Sequence, residues 1–249
     1  MHRPIRVDAR GFRIIALPQN QSYLLPAHHF PADARFLEAL HHLLHQTSST
    51  PERPASVLDI GAGVGQYGHA LLARDGLTRY HGVDGAGDVE EMTASFVHFA
   101  DLTQENLALP KACWVVSFAV AEHVPRTSEP AYVRNLHTHA CRGIVLHWGP
   151  PGVSGRGHVN TRPHAYVRTL FAGLGYYESA AWSRAFRYGF GKWPGQRSRV
   201  RRRNMSFPAI WRAENGPHFP WFTTGLSSTM VFERYTPLHS AADGCLAAC

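Results

Sequence analysis

Val57-Leu-Asp-Ile-Gly-Ala-Gly-Val-Gly-Gln-Tyr-Gly68 is the stretch that decides the fold. An apolar strand over 56–60 runs into Gly61, Gly63 and Gly65, and a helical pattern follows over 67–74. Glycines at such a turn accept positive φ and let the backbone approach a ligand without Cβ clashes. The spacing is G-x-G-x-G, not the G-x-G-x-x-G of pyrophosphate binders. Asp59 stands just before the first glycine. A carboxylate there repels phosphate and suits an ammonium group, while the following helix N-terminus suits a carboxylate. An amino-acid moiety carries both charges.

Outward from this motif, strand and helix alternate. Further strands are expected at 79–83, 96–99, 113–119, 143–147, 176–182 and 228–234. Helices are expected at 129–140, with Ser128 as N-cap, and at 163–174, closed by Gly175. That alternation predicts an α/β fold with a mostly parallel sheet covered on both faces. Upstream, Pro31 opens a helix whose apolar stripe is Phe36, Leu37, Leu40, Leu43 and Leu44. Residues 1–50 are read as an N-terminal cap or lid, 51–238 as the main domain with a basic insertion at 184–222, and 239–249 as a tail.

Two further acids fall where the second and third strands of the alternation end. Asp84 lies 19 residues after Gly65, and Asp101-Leu102 follows the third strand. In an open α/β sheet, ligands bind beyond the carboxyl ends of the strands. The first of these acids suits ribose hydroxyls, and the second suits an adenine amino group. An amino-acid tail, a ribose and an adenine together describe S-adenosyl-L-methionine.

With these residues the sequence resembles the class I S-adenosylmethionine-dependent methyltransferases, over roughly residues 56–177 and more faintly 221–234. Asp84-Gly-Ala-Gly-Asp-Val-Glu90, Glu122-His-Val-Pro125 and Gly157-His-Val-Asn160 are similar to a poorly characterised eukaryotic subgroup. The resemblance implies a Rossmann-like seven-stranded sheet with its last strand antiparallel. It implies that Asp59, Gly61, Gly63, Gly65 and Gln66 line the methionine and adenosine. Asp84 and Gly85 would meet the ribose, Asp101 and Leu102 the adenine, and Val120 would complete the cofactor site.

Methyl transfer is an in-line displacement, so the protein mainly aligns nucleophile and methyl group. A base helps when the acceptor is protonated. Glu122 and His123, just past the fourth strand, are the first candidates. His158 is the second, in a glycine-rich loop, since an imidazole can serve as a base near neutral pH. Tyr23, His147, Trp148 and Asn160 are candidates to touch the acceptor. His41 and His45 could share a helix face, but no H-E-x-x-H accompanies them, and no metal is expected.

Composition narrows the remaining classes. The 249 residues are 44% hydrophobic, which argues against disorder. No apolar run approaches the ~20 residues of a membrane span, so no membrane partner is expected. The net charge of +7 is local, because nine basic residues and no acid lie between Ser179 and Ala213. Such a block could hold a phosphate, a nucleic acid or an anionic surface. Against base methylation, the place after the fourth strand reads Ala119-Val-Ala-Glu-His123, with no Asn- or Asp-Pro-Pro-aromatic motif. A small-molecule acceptor is therefore the first reading, an RNA or protein acceptor the second, and a cofactor-binding module without turnover the third. Cys113 and Cys141 read as buried thiols, and the four cysteines lack the spacings of a disulfide scaffold. A cytoplasmic location is expected. Arg3, Arg6, Arg10 and Arg13 give a transit peptide as the alternative. Oligomeric state carries no sequence signature.

Overall fold

The computed structural model describes residues 6–7, 13–16, 21–23, 25, 32–50, 54–76, 78–153, 155, 157–189, 228–236, 245 and 249. Three short strands come first: β1 (Arg6–Val7), β2 (Arg13–Ala16) and β3 (Gln21–Tyr23), paired antiparallel in a sheet of their own. Helix α1 (Ala34–Gln46) follows. It starts not at Pro31 but after Asp33, whose carboxylate accepts from the N–H groups of Arg35 (2.8 Å) and Phe36 (3.1 Å). Side-chain capping of this kind satisfies N–H groups that the first helical turn leaves over.

The main sheet begins with β4 (Val57–Ile60), buried along its whole length. Then come α2 (Gln66–Asp75), β5 (Tyr80–Asp84), α3 (Val89–Met92), β6 (Val97–Phe99) and β7 (Ala112–Ser117). Two 3-10 turns, Ala121–His123 and Arg126–Ser128, lead into α4 (Glu129–His139) and β8 (Ala140–His147). The chain continues through α5 (His164–Gly173), β9 (Tyr176–Glu178), α6 (Ala180–Tyr188) and β10 (Thr229–Arg234).

The strand order is β6-β5-β4-β7-β8-β10-β9. The first five strands in that order pair parallel, and β10 runs antiparallel to both its neighbours. The chain builds outward from β4 in one direction through β5 and β6, then returns to build the other side from β7. That reversal opens a crevice at the carboxyl ends of β4 and β7, where ligands bind in sheets of this kind.

Alternation along β4 explains the two layers. Leu58 and Ile60 face a core shared with Tyr132, Leu136, Val167 and Phe171 of α4 and α5. Val57 faces a second core, shared with Phe36, Leu40, Leu43 and Leu44 of α1. The parallel strands carry near-continuous apolar runs because both faces are covered. Helix α1 is thus a layer of the main fold, although the sequence reading places it within a lid. The stretch expected as a strand over 176–182 stops at Glu178, and Trp182 lies on α6. Ser128 does occupy the N-cap position of α4, but its side chain makes no capping bond.

The cysteines correct the sequence reading. Cys113 pairs with Cys249 and Cys141 with Cys245, so among the described residues no cysteine is a free thiol. The spacings, 136 and 104 residues, are too long to read as a framework. Disulfides persist in oxidising surroundings, so the thiol argument for a cytoplasmic location falls away. Among the described residues, no helix is long and apolar enough to cross a membrane.

Candidate active site

The glycine turn after β4 is built by close approach. Gly61 has φ +86°, and a Cβ on it would lie 2.2 Å from Val120 Cγ2. Only glycine lets the loop after β7 pack this near. The N–H groups of Gly61 and Ala62 both donate to Val83 O, at 2.8 and 3.0 Å, which ties the turn to β5. Gly63 N–H donates to Asp84 Oδ2 (2.8 Å). Gly65 caps α2 in the left-handed region, with φ +72° and no side-chain cap. Helix starts of this kind attract anions. Gln66 opens the helix, and its Oε1 is buried with no hydrogen-bond partner among the described residues.

The two acids nearest this turn are both 4% exposed. Asp84 accepts from Ala86 N–H (2.9 Å) as well as from Gly63, so its carboxylate locks the Asp84-Gly85 turn against the glycine loop. Asp59 Oδ2 accepts from the Tyr80 hydroxyl (2.9 Å). Burial raises the Asp59 pKa to about 7; the Tyr80 bond opposes this, and the Asp84 charge adds to it. Asp101 lies at the same rim, since Ala100 N–H donates to Asp84 O (2.9 Å). Its carboxylate organises its own turn, accepting from Thr103 N–H (3.0 Å), Thr103 Oγ1 (2.6 Å) and Gln104 Nε2 (3.1 Å). Leu102 beside it is buried in the core.

A second group gathers past β7 and β8. Val159 and Asn160 N–H both donate to Glu122 O, at 2.9 and 3.0 Å, and Arg162 N–H donates to Gly149 O (3.1 Å). These bonds fold the glycine-rich loop back onto the Glu122 turn. His123 and His158 then stand edge to face, with ring centroids 5.0 Å apart. Glu122 is 1% exposed. Burial pushes its carboxyl up to about 7, against backbone hydrogen bonds from its own N–H and that of Gly149. His147 Nδ1 lies 3.5 Å from Glu122 Oε1.

Several expected contacts are placed elsewhere. Trp148 is fully buried and donates its Nε1–H to Asn160 O (2.6 Å). Asn160 is also fully buried, and its amide donates to Glu129 Oε2 (2.9 Å). Neither presents surface to an acceptor, so both are supports behind the loop. Glu129 gathers Arg162 (2.7 Å) and Tyr166 at the same point. Tyr23 belongs to β3, and its side chain lies outside the described residues. Most of the basic segment, 190–222, lies outside them too. Within the described part, Arg187 is committed to Glu178 (2.8 Å) and to Thr229 O (2.6 Å).

The sequence reading missed Tyr80. A Cβ on Gly68 would lie 2.4 Å from the Tyr80 ring, and one on Gly82 would lie 2.7 Å from its hydroxyl. Those two glycines, outside the G-x-G-x-G motif, were the available signal. Ser117 was also missed. Its Oγ donates to Ile60 O (2.6 Å) and contacts Tyr132 Oη (2.7 Å), pinning the ends of β4 and β7 together.

The strand order and the antiparallel β10 make this the fold of the class I S-adenosylmethionine-dependent methyltransferases. No protein-family model and no curated protein matches the chain. Among solved structures, it is similar to magnesium protoporphyrin IX methyltransferase from Synechocystis PCC 6803 with bound SAH, at 18% identity and a TM-score of 0.45. That match covers 57% of this chain and 73% of the other. It is also similar to an amino pentose methyltransferase from Micromonospora echinaspora involved in calicheamicin biosynthesis, at 16% identity and a TM-score of 0.45. There 59% of this chain and 86% of the other are covered.

Proposed function

We propose that this protein binds S-adenosyl-L-methionine and transfers its methyl group to an oxygen, nitrogen or sulfur of a small-molecule acceptor. Asp59 is the observation that carries this reading. A carboxyl 4% exposed, with its pKa raised to about 7 by burial, sits two residues before Gly61, the start of a glycine turn whose helix has no side-chain cap. A cation is favoured at the first place and an anion at the second. The α-amino and α-carboxylate groups of the methionine moiety supply that pair.

In this reading Asp84 accepts from the ribose hydroxyls while its contacts with Gly63 and Ala86 hold it in place. Asp101 meets the adenine amine with acceptor capacity beyond its own turn, since a carboxylate has about four lone-pair sites. Gln66, Gly85, Leu102 and Val120 surround the cofactor. When bound, the cofactor supplies a methyl group activated by sulfonium. Glu122, His123 and His158 act on the acceptor, and His147 supports Glu122 at 3.5 Å.

The test is direct. The full chain is titrated with the cofactor by calorimetry, then incubated with methyl-labelled cofactor and a small-molecule extract, with mass spectrometry of whatever acquires the label. Saturable binding and a labelled small molecule are expected. Absence of binding would reject the reading, and label found only in RNA or protein would replace the acceptor class.

A further inference from the structure

We propose that Glu122, His123 and His158 form a binding site for one divalent transition-metal ion. One donor atom from each lies within 4.8 Å of the others. Donors bound tetrahedrally to a single Zn2+ at ~2.0–2.2 Å stand ~3.3–3.6 Å apart. The donor atoms, all within 4.8 Å of one another, reach that spacing by drawing in at most about 1.5 Å, which rotation of two loop-borne imidazoles can supply. The residues come from separate places in the chain: the turn after β7 and the loop after β8.

Three observations give the cluster the character of a metal site. Each imidazole sets its Nδ1 against a backbone carbonyl, His123 on Gly157 O (3.2 Å) and His158 on Val153 O (3.1 Å). A carbonyl only accepts, so in the neutral imidazole this contact places the hydrogen on Nδ1 and leaves Nε2 as the nitrogen able to ligate. Ligating histidines are oriented in this manner by their outer-shell partners. Next, Glu122 Oε2 is buried and has no hydrogen-bond partner among the described residues. A buried polar atom without a partner is costly, and a cation satisfies it. Finally, the backbone bonds from Val159 and Asn160 to Glu122 O fix His158 beside the acid whether or not an ion is bound.

The donor set selects the ion. Two imidazoles and one carboxylate suit zinc, iron, cobalt or nickel, whereas magnesium and calcium prefer all-oxygen shells. Three protein ligands leave at least one position open. Resting on the methyltransferase reading, that position takes the acceptor's reacting hydroxyl. The ion lowers the hydroxyl pKa, and the proton passes to solvent. The acceptor oxygen then bonds to the methyl carbon as the carbon–sulfur bond breaks, and that electron pair stays on sulfur.

Metal-stripped full-length protein is titrated with Co2+ and with Zn2+, following visible Co2+ absorption and bound stoichiometry by equilibrium dialysis. One equivalent is expected. The H158Q and H123Q variants should weaken binding at least about tenfold, since loss of even an outer-shell partner costs ~10–100-fold. H41Q, in the His41–His45 ring pair of α1, should leave it unchanged. His158 is only half buried, on a loop, so H158Q tests the site without disturbing the core. Absence of Co2+ and Zn2+ binding in the wild type, or wild-type affinity in folded H158Q and H123Q, overturns the proposal. A bound ion with no methyl transfer would sink the enzyme reading alone. Methyl transfer that persists undiminished in chelator would sink the ion's part in the reaction and leave the methyltransferase reading standing.

Discussion

Tyr80 places its hydroxyl 2.9 Å from Asp59 Oδ2, reaching from the start of β5 across to β4. The reach depends on Gly68 and Gly82, where any side chain would occupy the space of the phenol. Phe96 stacks on the same ring, with centroids 5.4 Å apart and planes 9° from parallel. Among the described residues, Tyr80 is the one side-chain donor to the buried Asp59 carboxyl, and it is neutral. One neutral hydrogen bond does not offset the desolvation of a carboxylate, and the acid stays weak.

The first prediction concerns pH. The Asp59 pKa is raised to about 7 from an ordinary value of 3.8. Its contribution to stability is therefore full below 3.8, declines as pH rises through 7, and is absent above. A cation arriving beside it favours the charged form and expels the proton. Cofactor affinity should therefore climb between about pH 6 and about pH 8, approaching about tenfold per pH unit on the acid side. Calorimetry in buffers of differing ionisation enthalpy should register a proton released on binding. A flat pH profile would remove Asp59 from the ammonium site.

Asp84→Ala should weaken cofactor binding more than about tenfold, because charge-assisted hydrogen bonds are lost. It also releases Gly63 N–H and Ala86 N–H, which the carboxylate holds at 2.8 and 2.9 Å. Binding calorimetry reads the outcome. Unchanged affinity would reject the ribose assignment.

Gly61→Ala and Gly152→Ala make a controlled pair. Both glycines have φ +86°, but a Cβ at 61 meets Val120 at 2.2 Å while one at 152 meets nothing within 4 Å. Both variants bear the left-handed penalty of ~1–2 kcal/mol. Only the first also displaces the loop that carries Glu122. Gly61→Ala should therefore lower both melting temperature and cofactor affinity, and Gly152→Ala the melting temperature alone.

His158→Ala should lower kcat while leaving cofactor affinity within about twofold. His158 lies on the loop after β8, and its ring is held by Val153 O at 3.1 Å. Single-turnover kinetics with the identified acceptor, beside calorimetry for the cofactor, separates the two effects. Full turnover in this variant would remove His158 from the acceptor side.

Reduction should cost stability. The pairs Cys113–Cys249 and Cys141–Cys245 anchor the tail to β7 and β8, and a native disulfide typically contributes ~2–4 kcal/mol. Thiol titration of the unreduced, denatured chain should find no free cysteine. A reductant should lower the denaturant midpoint. Four titratable thiols before reduction would refute the pairing.

Much of this molecule could be read from its residues in order. The turn from β4 to α2, the acids at the ends of β4, β5 and β6, and the helical stripe of α1 are written in neighbours one to four positions apart. Glycine φ, apolar runs and 3.6-residue periodicity act over that range. Burial of Trp148 and Asn160 could not be read so. A tryptophan ending a strand looks the same whether it lines a pocket or closes a core. The partner that settles the matter, Glu129 for the Asn160 amide, is 31 positions away.

Local chemistry along the chain therefore set the class of fold and the side of the sheet on which chemistry is expected. Folding in three dimensions set which groups meet: Tyr80 with Asp59, His158 with Glu122, and each cysteine with its partner. Those meetings follow from strand order and from loops closing over tens of residues. No short-range preference encodes such closures, because they come from burying both faces of one sheet at once.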